Sequence, residues 1–223
     1  MKKIAIFTGA GVSAESGVPT FRGGGLWDEH KIEDVATLSG WKKDREKVLR
    51  FYNELRAKLV GVEPNAAHTA IAKLEDKFEV CVITQNVDDL HERGGSTNVI
   101  HLHGSLLEAR STADHTLVYP WSKDINIGDK CEKGSQLRPN IVWFGEDVPL
   151  IQRAILQVAD ADVLLVIGTS LQVYPAANLA NAAGDRAVTY YIDPNAKAIG
   201  NVKIIQENAT VGVPFIVEKL LGQ

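Results

Sequence analysis

The chain has 223 residues, of which 45% are hydrophobic and 23% charged, so it is long enough to bury a core within one folded domain. A net charge of −4 gives no basic surface that would displace phosphate counterions, and we expect no nucleic-acid partner. The first apolar run, IAIF, is too short for a signal peptide or a membrane span. We therefore expect no membrane association, and the two cysteines favour a reducing cytoplasm over export.

Short apolar runs rich in β-branched residues alternate with helical patterns along the chain. Because these runs lack polar alternation, they predict strands covered on both faces, as in a parallel sheet flanked by helices. The predicted strands are 3–7, 78–85, 98–104, 140–145, 161–170, 187–193 and 202–206. The predicted helices are 44–60, 65–76, 150–160 and 214–221, the last with Pro214 in its first turn. The pattern predicts an α/β fold with a doubly wound, mostly parallel, Rossmann-like sheet.

Two segments interrupt the alternation of strands and helices. Residues 29–64 are largely helical in pattern, and residues 106–139 are irregular. We interpret them as insertions that form a small lobe within a single domain of 1–223. The large lobe would then comprise 1–28, 65–105 and 140–223.

A glycine-rich loop, TGAGVSAESGVPTFRGGG, follows the first predicted strand. Glycine lets the backbone approach a phosphate closely, and a following helix start favours an anion, so the loop suits a dinucleotide pyrophosphate. The match to G-x-G-x-x-G is imperfect because Ala14 takes the place of the last glycine. Dinucleotide-binding domains usually carry an acidic residue on the second strand, about twenty positions after the glycine loop, where it binds a ribose hydroxyl. This chain has no clean candidate for that residue. A tight turn without a ligand is the alternative.

Three groups of segments together resemble the sirtuin family. They are GAGVSAESGVPTFR at 9–22, TQNVDDLHERGG at 84–95 with HLHGSL at 101–106, and IVWFGE at 141–146 with GTSLQVYPAA at 168–177. The resemblance covers nearly the whole chain, and the length resembles that of compact bacterial NAD-dependent deacylases. It implies an enzyme that consumes NAD, removes acyl groups from lysines of proteins or peptides, and yields nicotinamide, O-acyl-ADP-ribose and free lysine.

The resemblance also implies roles for single residues. His103 matches the family's general base, which takes a proton from a ribose hydroxyl, a task that suits an imidazole. Asn86 is the second predicted catalytic residue, and with Gln85 and Asp88 it would contact the ribose and the nicotinamide. A structural histidine is the alternative for His103, and a helix cap is the alternative for Asp88 and its neighbour Asp89.

The remaining predicted NAD contacts follow the family pattern. Phe21 would shield the reacting carbon, Arg22 would order the loop, and Asp193 would accept ribose hydroxyls where an asparagine is common. For Ser170 a plain turn is the alternative. The full predicted set for NAD is Gly9, Ala10, Gly11, Ser13, Phe21, Arg22, Gln85, Asn86, Asp88, Gly168, Thr169, Ser170, Asp193, Asn195 and Ala209.

An extended substrate peptide would lie between two segments of the chain. The predicted peptide contacts are Val142, Trp143, Phe144, Gly145, Glu146 and Val173. Sirtuins that remove acidic acyl groups carry a Tyr-x-x-Arg pair, whereas this chain has Tyr52 and Leu55 with Arg56 one residue later. Positions 55 and 56 both lie on the same side of a helix as Tyr52. We therefore predict that Tyr52 and Arg56 bind a succinyl or malonyl carboxylate and that the enzyme also removes acetyl groups. The alternative for Arg56 is a solvated residue paired with Glu54 or Asp44.

Most sirtuins bind zinc through four cysteines, and one of those cysteines is left here. The matching positions hold Ser111, Asp114, Cys131 and Gly134. Serine and glycine cannot replace thiolate ligands, so we expect no structural zinc and no other metal. Packing of Leu117, Tyr119 and Trp121 would hold the small lobe instead.

Two other functions use the same predicted NAD site. The chain could bind NAD or ADP-ribose without deacylation, or it could transfer ADP-ribose to protein. Retention of His103, Asn86 and Asp88 argues against a binding module alone.

Overall fold

The computed structural model describes residues 1–20, 29–197 and 200–222. Its strands are β1 (Lys3–Thr8), β2 (Glu79–Thr84), β3 (Val99–His101), β4 (Gly104–Ser111), β5 (Val118–Pro120), β6 (Leu137–Ile141), β7 (Val163–Ile167), β8 (Val188–Ile192) and β9 (Lys203–Ile205). Its helices are α1 (Gly11–Ala14), α2 (Ile32–Val35), α3 (Leu38–Lys43), α4 (Arg45–Leu59), α5 (Ala66–Lys73), α6 (Leu90–Arg93), α7 (Ile151–Ala159) and α8 (Ala209–Leu221). Among these described helices, none is long and apolar enough to cross a membrane.

The larger sheet has the strand order β3-β2-β1-β7-β8-β9, and all of its described pairings are parallel. The order reverses between β1 and β7, which leaves a crevice at the carboxyl ends of these two strands. This arrangement confirms the doubly wound, mostly parallel α/β fold. It also fixes where loops from different parts of the chain can meet.

Helices cover both faces of this sheet, as the continuous apolar strands predict. Alternate residues of β1 point to opposite faces, so Ile4 and Ile6 join one buried cluster while Ala5 and Phe7 join the other. Side chains of α5 and α8 complete the first cluster, and those of α7 and of the 3₁₀ turn at 176–181 complete the second. The parallel sheet is therefore buried on both sides.

Two predicted elements differ from the structure. The run 140–145 does not join the parallel sheet, because its first two residues end β6, which pairs antiparallel with β4. Helix α8 begins at Ala209, and Pro214 lies inside it. The early start has a long-range cause: Glu15 accepts hydrogen bonds from the Thr210 N–H at 3.0 Å and the Thr210 hydroxyl at 2.8 Å. No local pattern around Pro214 reveals that contact.

A second, three-stranded sheet with the order β5-β4-β6 packs with α2, α3 and α4 around a third apolar cluster. Trp143 is at the centre of this cluster, with Trp41 and Tyr52 beside it. Leu117, Tyr119 and Trp121 pack against its edge, as predicted.

The four positions that match zinc ligands in the family form a hydrogen-bonded cluster. The Cys131 thiol donates to Ser111 Oγ at 3.3 Å, and Ser111 Oγ also accepts the N–H groups of Ala113 and Asp114 at 3.1 and 3.2 Å. Asp114 pairs with Lys133 at 2.6 Å. Hydrogen bonds from Lys133 and Thr116 hold the pKa of the Asp114 carboxyl well below its usual range. Within the described part of the chain, no group of three or more His, Cys, Asp or Glu residues could hold a metal.

We predict that purified protein carries less than one equivalent of zinc and that a chelator leaves its melting temperature unchanged. Ser111→Ala should lower the free energy of unfolding by about 1–3 kcal/mol, because two backbone donors and a buried thiol lose their shared acceptor. Elemental analysis and thermal unfolding measure both effects. Ser122→Ala, at an exposed position, is the matched control. One equivalent of tightly held zinc would contradict the prediction.

Candidate active site

A cleft of about 950 Å³ opens at the carboxyl ends of the parallel strands. The loops that follow four strands form one wall, beginning with Gly9 after β1, Gln85 after β2, Gly168 after β7 and Asp193 after β8. Helix α4 and residues 141–148 form the opposite wall. This is the crevice where open α/β sheets bind ligands.

The glycines of the first loop bring two loops into backbone contact. The Gly11 N–H donates to the Gly168 carbonyl at 2.8 Å, and the Gly9 N–H donates to the Ile167 carbonyl at 3.0 Å. A Cβ on Gly11 would lie 2.6 Å from Gly168 Cα, and Gly168 has a φ of +59° that favours glycine. The glycines are thus required by the packing of the two loops against each other.

His103 follows β3 and lines the cleft. Its Nδ1 lies 3.0 Å from the Gln85 carbonyl oxygen. Because a carbonyl can only accept, Nδ1 carries the proton, and in the neutral ring Nε2 is a free base. Burial lowers the pKa of His103, although the Gln85 carbonyl opposes this shift. The ring is therefore neutral at pH 7 and competent to take a proton.

His101, two residues earlier, has the opposite protonation state. Its Nδ1 lies 3.2 Å from the Asn86 carbonyl, and its Nε2 lies 2.7 Å from the Glu92 carboxylate. Burial lowers the pKa of His101, but the hydrogen bond and charge of Glu92 outweigh that effect and raise it overall. With an acceptor on each nitrogen, His101 supports the loop that carries Asn86.

Asn86 and Asp88 lie on the loop after β2, and both side chains are almost fully buried. Asn86 Nδ2 donates to Ser13 Oγ at 3.1 Å, which leaves the carboxamide oxygen without a protein partner among the described residues. Burial raises the pKa of Asp88, and hydrogen bonds from the Leu90 N–H and Ser13 offset part of that rise. Asp88 thus lines the cleft and also accepts the Leu90 N–H at 3.2 Å, so its position in the cleft is compatible with a capping role.

Ser13 lies beneath the cleft and is fully buried. The Asn65 N–H donates to His68 Nδ1 at 3.2 Å, so the proton of the neutral ring is on Nε2, which is 3.4 Å from Ser13 Oγ. Burial lowers the pKa of His68 to about 4, and the ring stays neutral. Ser13 is therefore occupied by protein partners and does not line the cleft.

The structure brings most of the predicted residues together. Two exceptions are Ser13 and Arg56, which do not line the cleft, while Phe21 and Arg22 lie outside the described residues. The predicted residues that line it are Gly9, Ala10, Gly11, Tyr52, Gln85, Asn86, Asp88, His103, Val142, Trp143, Phe144, Gly145, Glu146, Gly168, Thr169, Ser170, Val173, Asp193, Asn195 and Ala209.

Arg56 is turned away from the cleft. Its Nε donates to the Leu106 carbonyl at 2.6 Å and its Nη1 to Asn53 Oδ1 at 2.9 Å, and it is 2% exposed. Leu55 and Leu59 line the cleft instead. Around the helix axis they lie at about −60° and −20° from Tyr52, whereas Arg56 lies at about +40° on the other side. Arg56 is thus buried, and it is not among the residues that line the described cleft. Leu55 and Leu59 line the cleft but were not predicted to do so. Helical periodicity alone does not distinguish an apolar residue that lines a cleft from one that packs in the core.

Glu146 lines the cleft, but its carboxylate bonds within the protein. Oε1 accepts from Arg110 at 3.0 Å and from Arg138 at 2.8 Å. Oε2 accepts from Arg138 at 3.0 Å and from the Trp143 N–H at 2.8 Å. Burial raises the pKa of Glu146, yet the two arginines and the Trp143 N–H hold it below its usual value. Glu146 therefore fixes the loop at 143–146 that a peptide would contact.

The residues of the cleft fit a dinucleotide. Asn86, Asp88 and Asp193 offer amide and carboxylate groups for ribose hydroxyls, and Thr169 and Ser170 offer hydroxyls near the paired glycine loops. The sequence did not single out Glu15 and Asn208, which line the cleft where α8 begins. Glu15 and Asn208 are joined by a hydrogen bond although they lie 193 residues apart in the chain, and no local motif indicates such a contact.

Comparisons with known proteins agree with this geometry. The family model described as the Sir2 family matches residues 9–175. An NAD-dependent protein deacylase of Helicobacter pylori strain J99 is 53% identical over 225 residues, which cover 99% of this chain and 96% of that protein.

Two solved structures are also similar. A Sir2 homolog–NAD complex has a TM-score of 0.89 and 41% identity, covering 99% of this chain and 90% of the other. A Sir2–p53 peptide–NAD⁺ structure has a TM-score of 0.79 and 30% identity, covering 99% and 94%. The fold, the cleft and these matches together establish that the chain belongs to the Sir2 family, the sirtuins.

Proposed function

We propose that the chain is an NAD-dependent protein lysine deacylase. The observation that carries the proposal is His103, a neutral imidazole whose one free nitrogen belongs to a cleft that Asn86 and Asp88 also line. The name of the Helicobacter pylori relative and the NAD complex of a Sir2 homolog support the same activity. The reaction would convert NAD and an acylated lysine into nicotinamide, O-acyl-ADP-ribose and free lysine.

NAD would supply the ribose carbon that the acyl oxygen attacks as nicotinamide leaves. The Gln85 carbonyl holds the His103 ring so that Nε2 can take a proton from a ribose hydroxyl. The free carboxamide oxygen of Asn86 and the carboxylate of Asp88 would hold the nicotinamide end, because both can accept hydrogen bonds. The aromatic and aliphatic side chains of the opposite wall would exclude water from this end.

The acylated lysine would belong to an extended peptide. Phe144 is 47% exposed and Tyr174 is 69% exposed at the mouth of the cleft, which supports an apolar contact with such a peptide. The p53 peptide in a Sir2 structure supports the same class of partner. We further propose a cytoplasmic location, which the two free, buried cysteines favour.

We propose uncharged acyl groups as the preferred substrates. The α4 wall offers Leu55, Leu59 and Tyr52, and the Tyr52 hydroxyl is already bonded to Trp143 Nε1 at 2.9 Å. A succinyl carboxylate against these three side chains would lose hydration without gaining a partner from any of them, and the one lysine or arginine that lines the described part of the cleft is Lys58. This proposal replaces the expectation that Arg56 binds the carboxylate.

The activity is tested by incubating the protein with NAD and an acetyl-lysine peptide. We expect nicotinamide release that requires the peptide, with equal amounts of free lysine formed. An unacylated peptide of the same sequence is the control. Binding of NAD without turnover would instead indicate a binding module, and labelled protein would indicate ADP-ribosyl transfer.

The pH dependence tests His103 as the base. Because burial lowers the pKa of His103 below 6.5, protonation should reduce kcat/KM only below that pH, with a midpoint under 6.5. His103→Gln should lower kcat by about 100-fold or more. His115→Gln, at an exposed position, should keep the profile of the wild type. An acid limb that persists in His103→Gln would show that another group is the base.

The acyl preference is tested with acetyl, butyryl and succinyl peptides of one sequence. Leu55→Arg should raise the succinyl-to-acetyl ratio of kcat/KM by about tenfold or more, because it places a guanidinium on the cleft side of α4. Ala57→Arg adds the same charge at an exposed position of α4 and should not change the ratio. Arg56→Lys should also leave the ratio unchanged. A lower succinyl ratio in Arg56→Lys would restore Arg56 as the carboxylate contact.

A further inference from the structure

The loop 85–89, between β2 and α6, is closed beneath the cleft by the hydroxyl group of Thr8. Thr8 ends β1 and is paired in the sheet with Thr84, which ends β2. Thr8 Oγ1 donates to Thr84 Oγ1 at 2.9 Å and lies 3.0 Å from Nε2 of His91 on α6. One hydroxyl group therefore bonds the residue just before the loop and a residue just after it.

The side chains that make this contact are buried, with His91 1% exposed and both threonines fully buried. Because the Thr8 hydroxyl gives its one proton to Thr84, its oxygen accepts from the ring, and the ring proton is on Nε2. Burial lowers the pKa of His91 well below its ordinary value, and His68 and His101 act in the same direction. His91 is therefore a neutral hydrogen-bond donor at pH 7.

The other nitrogen of the His91 ring, Nδ1, is buried and has no hydrogen-bond partner among the described residues. A buried polar atom without a partner destabilises the fold, and an apolar ring of similar size would avoid that cost. Space filling alone would thus favour an apolar side chain at this position. The part of the ring that the structure uses is the Nε2 donor.

The loop that this contact closes carries the groups on which the reaction depends. The Asn86 N–H donates to Thr84 Oγ1 at 3.0 Å, the same oxygen that Thr8 bonds. The Gln85 N–H donates to the Thr8 carbonyl at 3.0 Å, and the Gln85 carbonyl lies 3.0 Å from His103 Nδ1. The positions of the Asn86 carboxamide and of the His103 ring therefore both depend on how this loop is held.

We propose that His91 is a positioning residue, whose hydrogen bond to Thr8 clamps the loop 85–89 and so aligns Asn86 and His103 for the reaction. The proposal rests on the proposed function, because deacylation is the reaction for which these groups are aligned. His91 is not among the residues that line the described part of the cleft, and it acts on the substrates only through the loop.

The first test compares two replacements of His91 in the full chain. His91→Gln keeps an N–H donor close to the position of Nε2, whereas His91→Phe keeps a ring and removes the donor. His91→Phe should lower kcat for nicotinamide release by about tenfold or more, and His91→Gln should restore most of that loss. If the ring only fills space, His91→Phe should be the more active variant, and that result would overturn the proposal. His115→Phe, the same change at an exposed position, is the control and should keep the wild-type kcat.

The second test removes the other partner of the hydrogen bond. Thr8→Val replaces the hydroxyl with a methyl group and should lower kcat at least as much as His91→Phe. Because both changes break the same contact, the double variant should lose about as much activity as Thr8→Val alone. Losses that multiply in the double variant would show that the two residues act independently, against the proposal.

A third measurement, amide hydrogen exchange, reports on the loop without turnover. The Asn86 N–H should exchange about tenfold faster in His91→Phe than in the wild type, and close to the wild-type rate in His91→Gln. Unchanged exchange in His91→Phe would overturn the clamp. If His91→Phe does not fold, His91→Asn replaces it, since its shorter amide lies near the position of Nδ1 and does not reach Thr8.

The outcomes separate this proposal from the proposed function. Faster exchange in His91→Phe, together with a wild type that releases no nicotinamide, would refute the deacylation and leave the clamp standing. Turnover by the wild type with equal kcat in both His91 variants would overturn the positioning role and leave the deacylation standing.

Discussion

The buried carboxylate of Glu146 holds together the wall of the cleft that faces the parallel sheet. It joins an arginine of β4, an arginine of β6 and the backbone of Trp143 through four hydrogen bonds. Removing one partner from a buried ion pair costs about 3–5 kcal/mol, because the other charge is left uncompensated. Arg138 also lies 3.2 Å from the centroid of the Trp143 ring, so the same arginine fixes the side chain and the loop.

This constraint reaches the α4 wall of the cleft through a short series of contacts. Trp143 donates to the Tyr52 hydroxyl, and Tyr52 sets the rotation of α4 relative to the cleft. With Tyr52 fixed, helical geometry places Leu55 and Leu59 at the cleft and turns Arg56 toward Leu106. The apolar character of the α4 wall thus depends on the ion-pair network around Glu146.

Much of the fold and of the site could be predicted from the sequence, and the failures have physical causes. The buried strands of the parallel sheet were predictable because continuous apolar runs such as that of β7 need cover on both faces. His103 and Asn86 were predictable because a motif ties each to the end of a strand. The position of Arg56 away from the lining of the cleft was not predicted, because periodicity gives the angle between residues but not the direction of the cleft. The start of α8 was missed because Glu15, which stabilises it, is about 195 residues away in the chain. The division into two lobes at 29–64 and 106–139 stays a prediction.

The two ends of the cleft impose opposite electrostatic requirements. At the His103 end the proposed base must be neutral at pH 7, and burial favours this state by lowering the pKa of His103, while Glu92 pairs with the neighbouring His101. At the other end Asp193 lies at a half-buried turn and not in the interior, where the proposed function has it accept ribose hydroxyls. An exposed His103 would be protonated at a higher pH, because burial is what lowers its pKa. The depth of each group in the cleft therefore suits the role proposed for it.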